Sequence, residues 1–163
     1  MTEFTTTPDV LEAVVAVAQA KLQEIKPGGQ GRVGAPKAKD VGRQPRLSVH
    51  INSDKGVDHE GYSRRTLLFT LVLMVRDDKS DGSLGVTELL RLCRLYEPIH
   101  FDLLVRVEKK TGPFAALPHL QIRESSEGLG VQSDGFDDTD GLARVGCTFQ
   151  AIFNRRLPEV STP

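Results

Sequence analysis

Apolar residues recur at spacings of three and four through Leu11, Val14, Ala18, Leu22 and Ile25, which is one face of an amphipathic helix. Thr7 is placed to cap that helix, Pro8 suits its first position, and Asp9 and Glu12 complement the positive end of its dipole. Pro27-Gly28-Gly29 stops it, so the pattern predicts a helix over residues 8–26. The period then drops to two. Leu47, Val49 and Ile51 alternate with Ser48, His50 and Asn52, a half-buried strand over 46–52, and a polar loop follows over 53–61. Residues 65–76 give the strongest strand signal. Leu67, Phe69, Leu71, Leu73 and Val75 line one face, and Leu68, Val72 and Met74 make the other mostly apolar. A strand apolar on both faces is either central in its sheet or covered by another subunit.

After a polar turn at 77–83, a second helix is expected from Val86, using Leu89, Leu90, Leu92, Cys93, Leu95 and Tyr96, until Pro98 breaks or kinks it. Residues 99–107 fit two periods. Ile99, Leu103, Leu104 and Val107 suit a helix, while Phe101, Leu103, Val105 and Val107 suit a strand; the helix is preferred. Thr111-Gly112-Pro113 ends that piece, and residues 120–124 read as a short strand. In the closing strand, 142–154, Ala143, Val145, Cys147, Phe149, Ala151 and Phe153 share one face. Short turns favour antiparallel pairing. The prediction is one α+β domain over 1–163, an antiparallel sheet of about four strands with helices packed on one face.

Three segments fall outside this periodicity. Residues 27–45 are rich in Gly and Pro and predict a long mobile basic loop. Residues 125–141 are acidic and Gly-rich, and the tail 157–163 reads as frayed.

Composition narrows the classes. The 163 residues are 39% hydrophobic and 26% charged, enough for a core, and the net charge of -1 disfavours a dedicated nucleic-acid binder. No apolar run approaches a membrane span, and the first residues lack a signal-peptide pattern, so a reducing compartment and no membrane association are expected. Cys93 and Cys147 lie far apart and belong to no Cys/His cluster. Both read as core hydrophobes, and no metal or cofactor is expected.

No catalytic constellation is visible. Asp137-Asp138-Thr139-Asp140-Gly141 fails as a calcium loop, because the first ligand position falls on Phe136 and the bidentate one on Cys147. His50, His59, His100 and His119 make no helical pair and read as surface histidines. Ser63 lies near His59 but reads as a surface serine before a strand. The glycines of Gly28-Gly29-Gln30-Gly31 follow a helix and enter a loop, the wrong context for a phosphate cradle. The basic loop could bind phosphates, yet it has no aromatic residue on which a base could stack. It could equally dock on an acidic partner. A positive segment early in the chain and a negative one late can meet head to tail in a ring of identical subunits.

The element order, with Tyr62-Ser63-Arg64-Arg65-Thr66-Leu67-Leu68-Phe69-Thr70-Leu71 opening the long strand and Asp140-Gly141-Leu142-Ala143-Arg144-Val145-Gly146-Cys147-Thr148-Phe149 opening the last, resembles bacteriophage tail terminators of the minor tail protein U type. The resemblance covers residues 8–156 and lies in element order and texture rather than in a signature motif. It implies a non-enzymatic virion protein, assembled in the host cytoplasm and sited at the head-proximal end of the tail. Such proteins form a hexameric ring that caps the tail tube protein, ends its polymerisation, meets the sheath in contractile tails, and offers the joining face for the head-tail connector. Genomic DNA passes through the lumen. The alternatives are a neck, connector or tail-completion protein and, in a different class, a small nucleic-acid-binding module. The candidate interface residues are Lys37, Lys39, Arg43 and Arg46 on the basic side, Asp134, Asp137, Asp138 and Asp140 on the acidic side, and Arg64 with Arg65.

Overall fold

The computed structural model describes residues 4–28, 30–33, 45–76, 82–125, 132–137 and 142–157. Helix α1 spans Thr7–Ile25, as its periodicity predicts, but its cap is Thr6 rather than Thr7. The Asp9 N–H donates to Thr6 Oγ1 at 3.2 Å, and the Thr6 N–H donates to Asp9 Oδ2 at 3.0 Å, a reciprocal capping box. The Thr7 hydroxyl is turned to another partner and donates to Asp54 Oδ2 at 2.8 Å.

Strand β1, Gln30–Val33, lies inside the segment expected to be loop. It pairs parallel with β2, Gln30 opposite Arg46 and Val33 opposite Val49. A four-residue strand with one apolar side chain carries no period of its own, and only the neighbouring strand defines it. Residues 34–44, which include Lys37, Lys39 and Arg43, lie outside the described residues.

Strand β2 runs over Arg46–His59 and overturns the loop expected at 53–61. A bulge explains the difference. Ile51 pairs with Phe69 but Ser53 pairs with Leu68, leaving Asn52 as the extra residue. Before the bulge the odd positions face the core; after it Asp54 pairs with Leu67, so the even positions do. The sequence alternation breaks at the point where the strand continues. Strand β3, Tyr62–Arg76, returns through a turn at Glu60–Gly61, where Gly61 holds φ +81. The His59 and Tyr62 rings stack across the closing pair at 4.9 Å between centroids.

Helix α2 runs over Gly82–Lys109 without interruption, so residues 99–107 are helical and Pro98 does not end the helix. Proline inside a helix costs about 3 kcal/mol. Tyr96, Ile99, His100, Leu103 and Val107 are all buried on either side of it, and each large apolar side chain so buried contributes about 1.5–3 kcal/mol. Packing on the sheet therefore outweighs the lost bond. The helix closes with Lys110 at φ 53: the Thr111 N–H donates to Arg106 O at 3.1 Å and the Lys110 N–H to Val107 O at 3.4 Å. A 3-10 turn at Gly112–Ala116 follows and buries Phe114.

Strands β4 (Gln121–Glu124), β5 (Gln132–Asp137) and β6 (Leu142–Arg156) complete the chain. Strand β5 lies within the segment expected to be an acidic loop and pairs with the first part of β6, while β4 pairs with the later part. The sheet order is β1-β2-β3-β6-β4, with β5 also on β6. Strands β2, β3, β6 and β4 form the expected antiparallel four, and both helices pack on this sheet in an α+β arrangement. Strand β3 is central. Inward side chains of β2, β3 and β6 meet Val10, Val14, Val17 and Leu22 of α1 and Leu92, Tyr96, Ile99 and Leu103 of α2 in one core. On the outer face of β3, Val72 and Met74 are buried as well, so this part of its second apolar face is covered within the chain.

Candidate functional site

The sheet has two different sides. On one, β1 and β2 lie against α1; on the other, β4 and β5 share the flank of β6 beneath α2. Arg46 opens β2 on the first side, where it pairs across the sheet with Met74, which in turn pairs with Arg144. Asp134 and Asp137 lie on β5, on the second side. The structure thus separates these basic and acidic candidates to opposite halves of one sheet, Arg46 between β1 and β3 and the two aspartates on β5, instead of bringing them together. Asp138 and Asp140 lie outside the described residues.

Exposed apolar residues divide the same way. Ile51 and Val57 project from β2, Val57 at 64% exposure. Leu90, Phe101 and Val105 project from α2, Phe101 at 63% exposure. Spacings of eleven and four put these three on a single helix face. Among the described residues no strand covers the outer edge of β2 beyond Val49, and β4 pairs only with β6, so both flanks present strand edges there.

Arg64 and Arg65 part company. Arg64 is exposed and pairs with Val57 across the hairpin. Arg65 points to the core side, where its Nη2 lies 2.7 Å from Asp54 Oδ1 and its Nε donates to the same oxygen at 2.9 Å. With the Thr7 hydroxyl on the other oxygen, Asp54 ties the hairpin to the start of α1. This gives Arg65 a structural job that sequence did not suggest. Ser63 is not a surface serine: it is fully buried, and its hydroxyl has no hydrogen-bond partner among the described residues. The nearby His59 is occupied in stacking on Tyr62, so the two form no nucleophile and base pair.

His100 is the second correction. It is not a surface histidine but 3% exposed, and it sits between α2 and the sheet. Its Nε2 contacts Glu124 Oε1 at the end of β4, and its Nδ1 has no hydrogen-bond partner among the described residues. The Phe149 ring lies 5.0 Å away between centroids. Cys147 of β6 completes a cluster in which one ligand-type atom from each of His100, Glu124 and Cys147 lies within 4.8 Å of the others. Burial and the Glu124 charge push the Cys147 thiol up to about 11, so it is no thiolate nucleophile at neutral pH. Tyr96 beside it donates to Leu71 O at 3.2 Å, and burial raises its hydroxyl well above the ordinary value. Cys93, by contrast, is only half-buried.

Glu124 also lines an open groove of about 450 Å³ between α2 and β4, with Leu104, Val107, Ile122 and Lys110 on its walls. The Lys110 ammonium donates to the Leu117 carbonyl at 3.5 Å and contacts that of Leu120, and burial lowers its pKa. It serves there as a tether for the chain after α2. Sequence reading missed the His100 cluster because its members are 24 and 23 residues apart and meet only through the β4–β6 pairing and the packing of α2 on the sheet. No family model and no curated protein matches the chain.

Proposed function

We propose that the chain is a structural subunit of a phage tail terminator, a ring that caps the tail tube, ends its growth and offers the surface for the head-tail connector. The observation that carries this reading is the placement of two unlike surfaces on opposite flanks of the sheet. The β2 flank carries Arg46, Ile51 and Val57, and the β5 and α2 flank carries Asp134, Asp137, Phe101 and Val105. Unlike surfaces on opposite flanks favour head-to-tail contacts, and these close into rings when the rotation fits. The near-neutral charge suits a lumen through which DNA must slide without being held.

The test is the mass of the purified protein by light scattering, with negative-stain images of the same peak and of isolated tail tubes incubated with it. The expected particle is a ring of about six 17.9 kDa chains with a central hole, formed alone or on the tube end. Reversing Asp137 and Asp138 to lysine should weaken assembly and leave the subunit folded by circular dichroism. A subunit that stays monomeric and does not cap tubes would overturn the reading. Steeply salt-dependent DNA binding by that monomer would favour a nucleic-acid-binding module instead.

A further inference from the structure

We propose that His100, Glu124 and Cys147 form a binding site for one zinc-class transition-metal ion. Imidazole nitrogen, thiolate sulfur and carboxylate oxygen are the three donor types that zinc takes from proteins. Here one of each comes from a different element, α2, β4 and β6, with the donor atoms within 4.8 Å of one another. Tetrahedral zinc with bonds of about 2.0–2.3 Å needs donors roughly 3.3–3.8 Å apart, so His100 Nε2 and Glu124 Oε1, now in direct contact, part to admit the ion.

Two further features bear on the site. His100 is 3% exposed, and its Nδ1 has no hydrogen-bond partner among the described residues, a cost of about 1–3 kcal/mol for a buried polar group. The ring nitrogen that faces Glu124 is Nε2, so an ion at the cluster would take the place of that contact as the partner of Nε2. Charge also balances. A dication with one thiolate and one carboxylate is neutral overall, the condition under which ions are tolerated beside a core. As the metal–sulfur bond forms, the Cys147 thiol releases its proton to solvent, so binding strengthens as pH rises. Glu124 supplies the route. It is 43% exposed at its side chain and lines the groove between α2 and β4, where a water can complete the coordination.

The test uses the full chain, purified and treated with chelator, then titrated with cobalt(II) chloride and separately with zinc sulfate. The expected result is one ion per chain and a cobalt–thiolate charge-transfer band in the near ultraviolet. Cys93→Ser should leave the band intact, and Cys147→Ser should abolish it. Glu124 is partly exposed, so Glu124→Gln should fold normally while weakening zinc binding about tenfold or more, since even outer-shell partners matter at about that level. A chain that folds normally and binds neither metal overturns the proposal. So does a band that survives Cys147→Ser or disappears with Cys93→Ser, or zinc affinity unchanged in Glu124→Gln.

Discussion

Gly146 stands in β6 opposite Val72, where a Cβ would lie 2.8 Å from the Leu71 carbonyl oxygen and 2.9 Å from Val72 Cγ2. Neither atom can yield easily, since one is backbone and the other is a buried β-branched side chain. Gly146→Ala should therefore destabilise the chain by about 1–3 kcal/mol, as overpacking does, and Val72→Ala in the same chain should recover part of the loss; chemical denaturation checks both. A second residue-scale consequence concerns alkaline pH. The folded chain holds the Cys147 proton up to about 11, whereas the ordinary thiol value is 9.0. Between those values the native state binds more protons than the unfolded state, so stability falls as pH rises through that window. The raised Tyr96 hydroxyl acts with the same sign at higher pH. Urea midpoints measured at pH 8 and pH 10.5 should drop, and the drop should be smaller in Cys147→Ala.

At the scale of elements, the hairpin β2–β3 extends past the core and is held at its base by Asp54. That carboxylate takes the Arg65 guanidinium on one oxygen and the Thr7 hydroxyl on the other. Asp54→Ala should cost about 1.5–3 kcal/mol, the range for hydrogen bonds to charged groups, and should speed amide exchange over residues 54–65 more than in β6. The same region marks where sequence is legible and where it is not. Helix α1, the central strand and the closing strand follow from sustained periods of 3.6 and 2 in Leu11–Ile25, Leu67–Val75 and Ala143–Phe153. The outer half of β2 does not, because the bulge at Asn52 inverts which side chains face inward. Strands β1 and β5 are too short and polar to show a period, and they exist as strands through their partners. Pro98 misleads for a related reason: local backbone preference argues for a break, and burial on both sides of it overrides that preference. The His100 cluster is illegible in sequence because strand register brings β4 and β6 together and the packing of α2 on the sheet adds His100.

For the whole molecule, a ring demands that the two flanks differ and that each fits the other. This separates a head-to-tail contact from a symmetric one. Val57 and Phe101 are both well exposed, so Val57→Glu and Phe101→Glu should leave the fold intact while each disables one flank. Either variant alone should then lose ring formation. A mixture of the two retains one undamaged pair of flanks, β2 from the Phe101→Glu chain against α2 from the Val57→Glu chain. That single good contact cannot propagate, so the mixture should yield a one-to-one heterodimer by native mass spectrometry. A symmetric contact built on either flank alone predicts otherwise: one of the two variants would still self-associate, and mixing would add nothing. Rings that persist in both single variants would place the subunit contact elsewhere on the molecule and remove the support that the two flanks lend to a tail terminator.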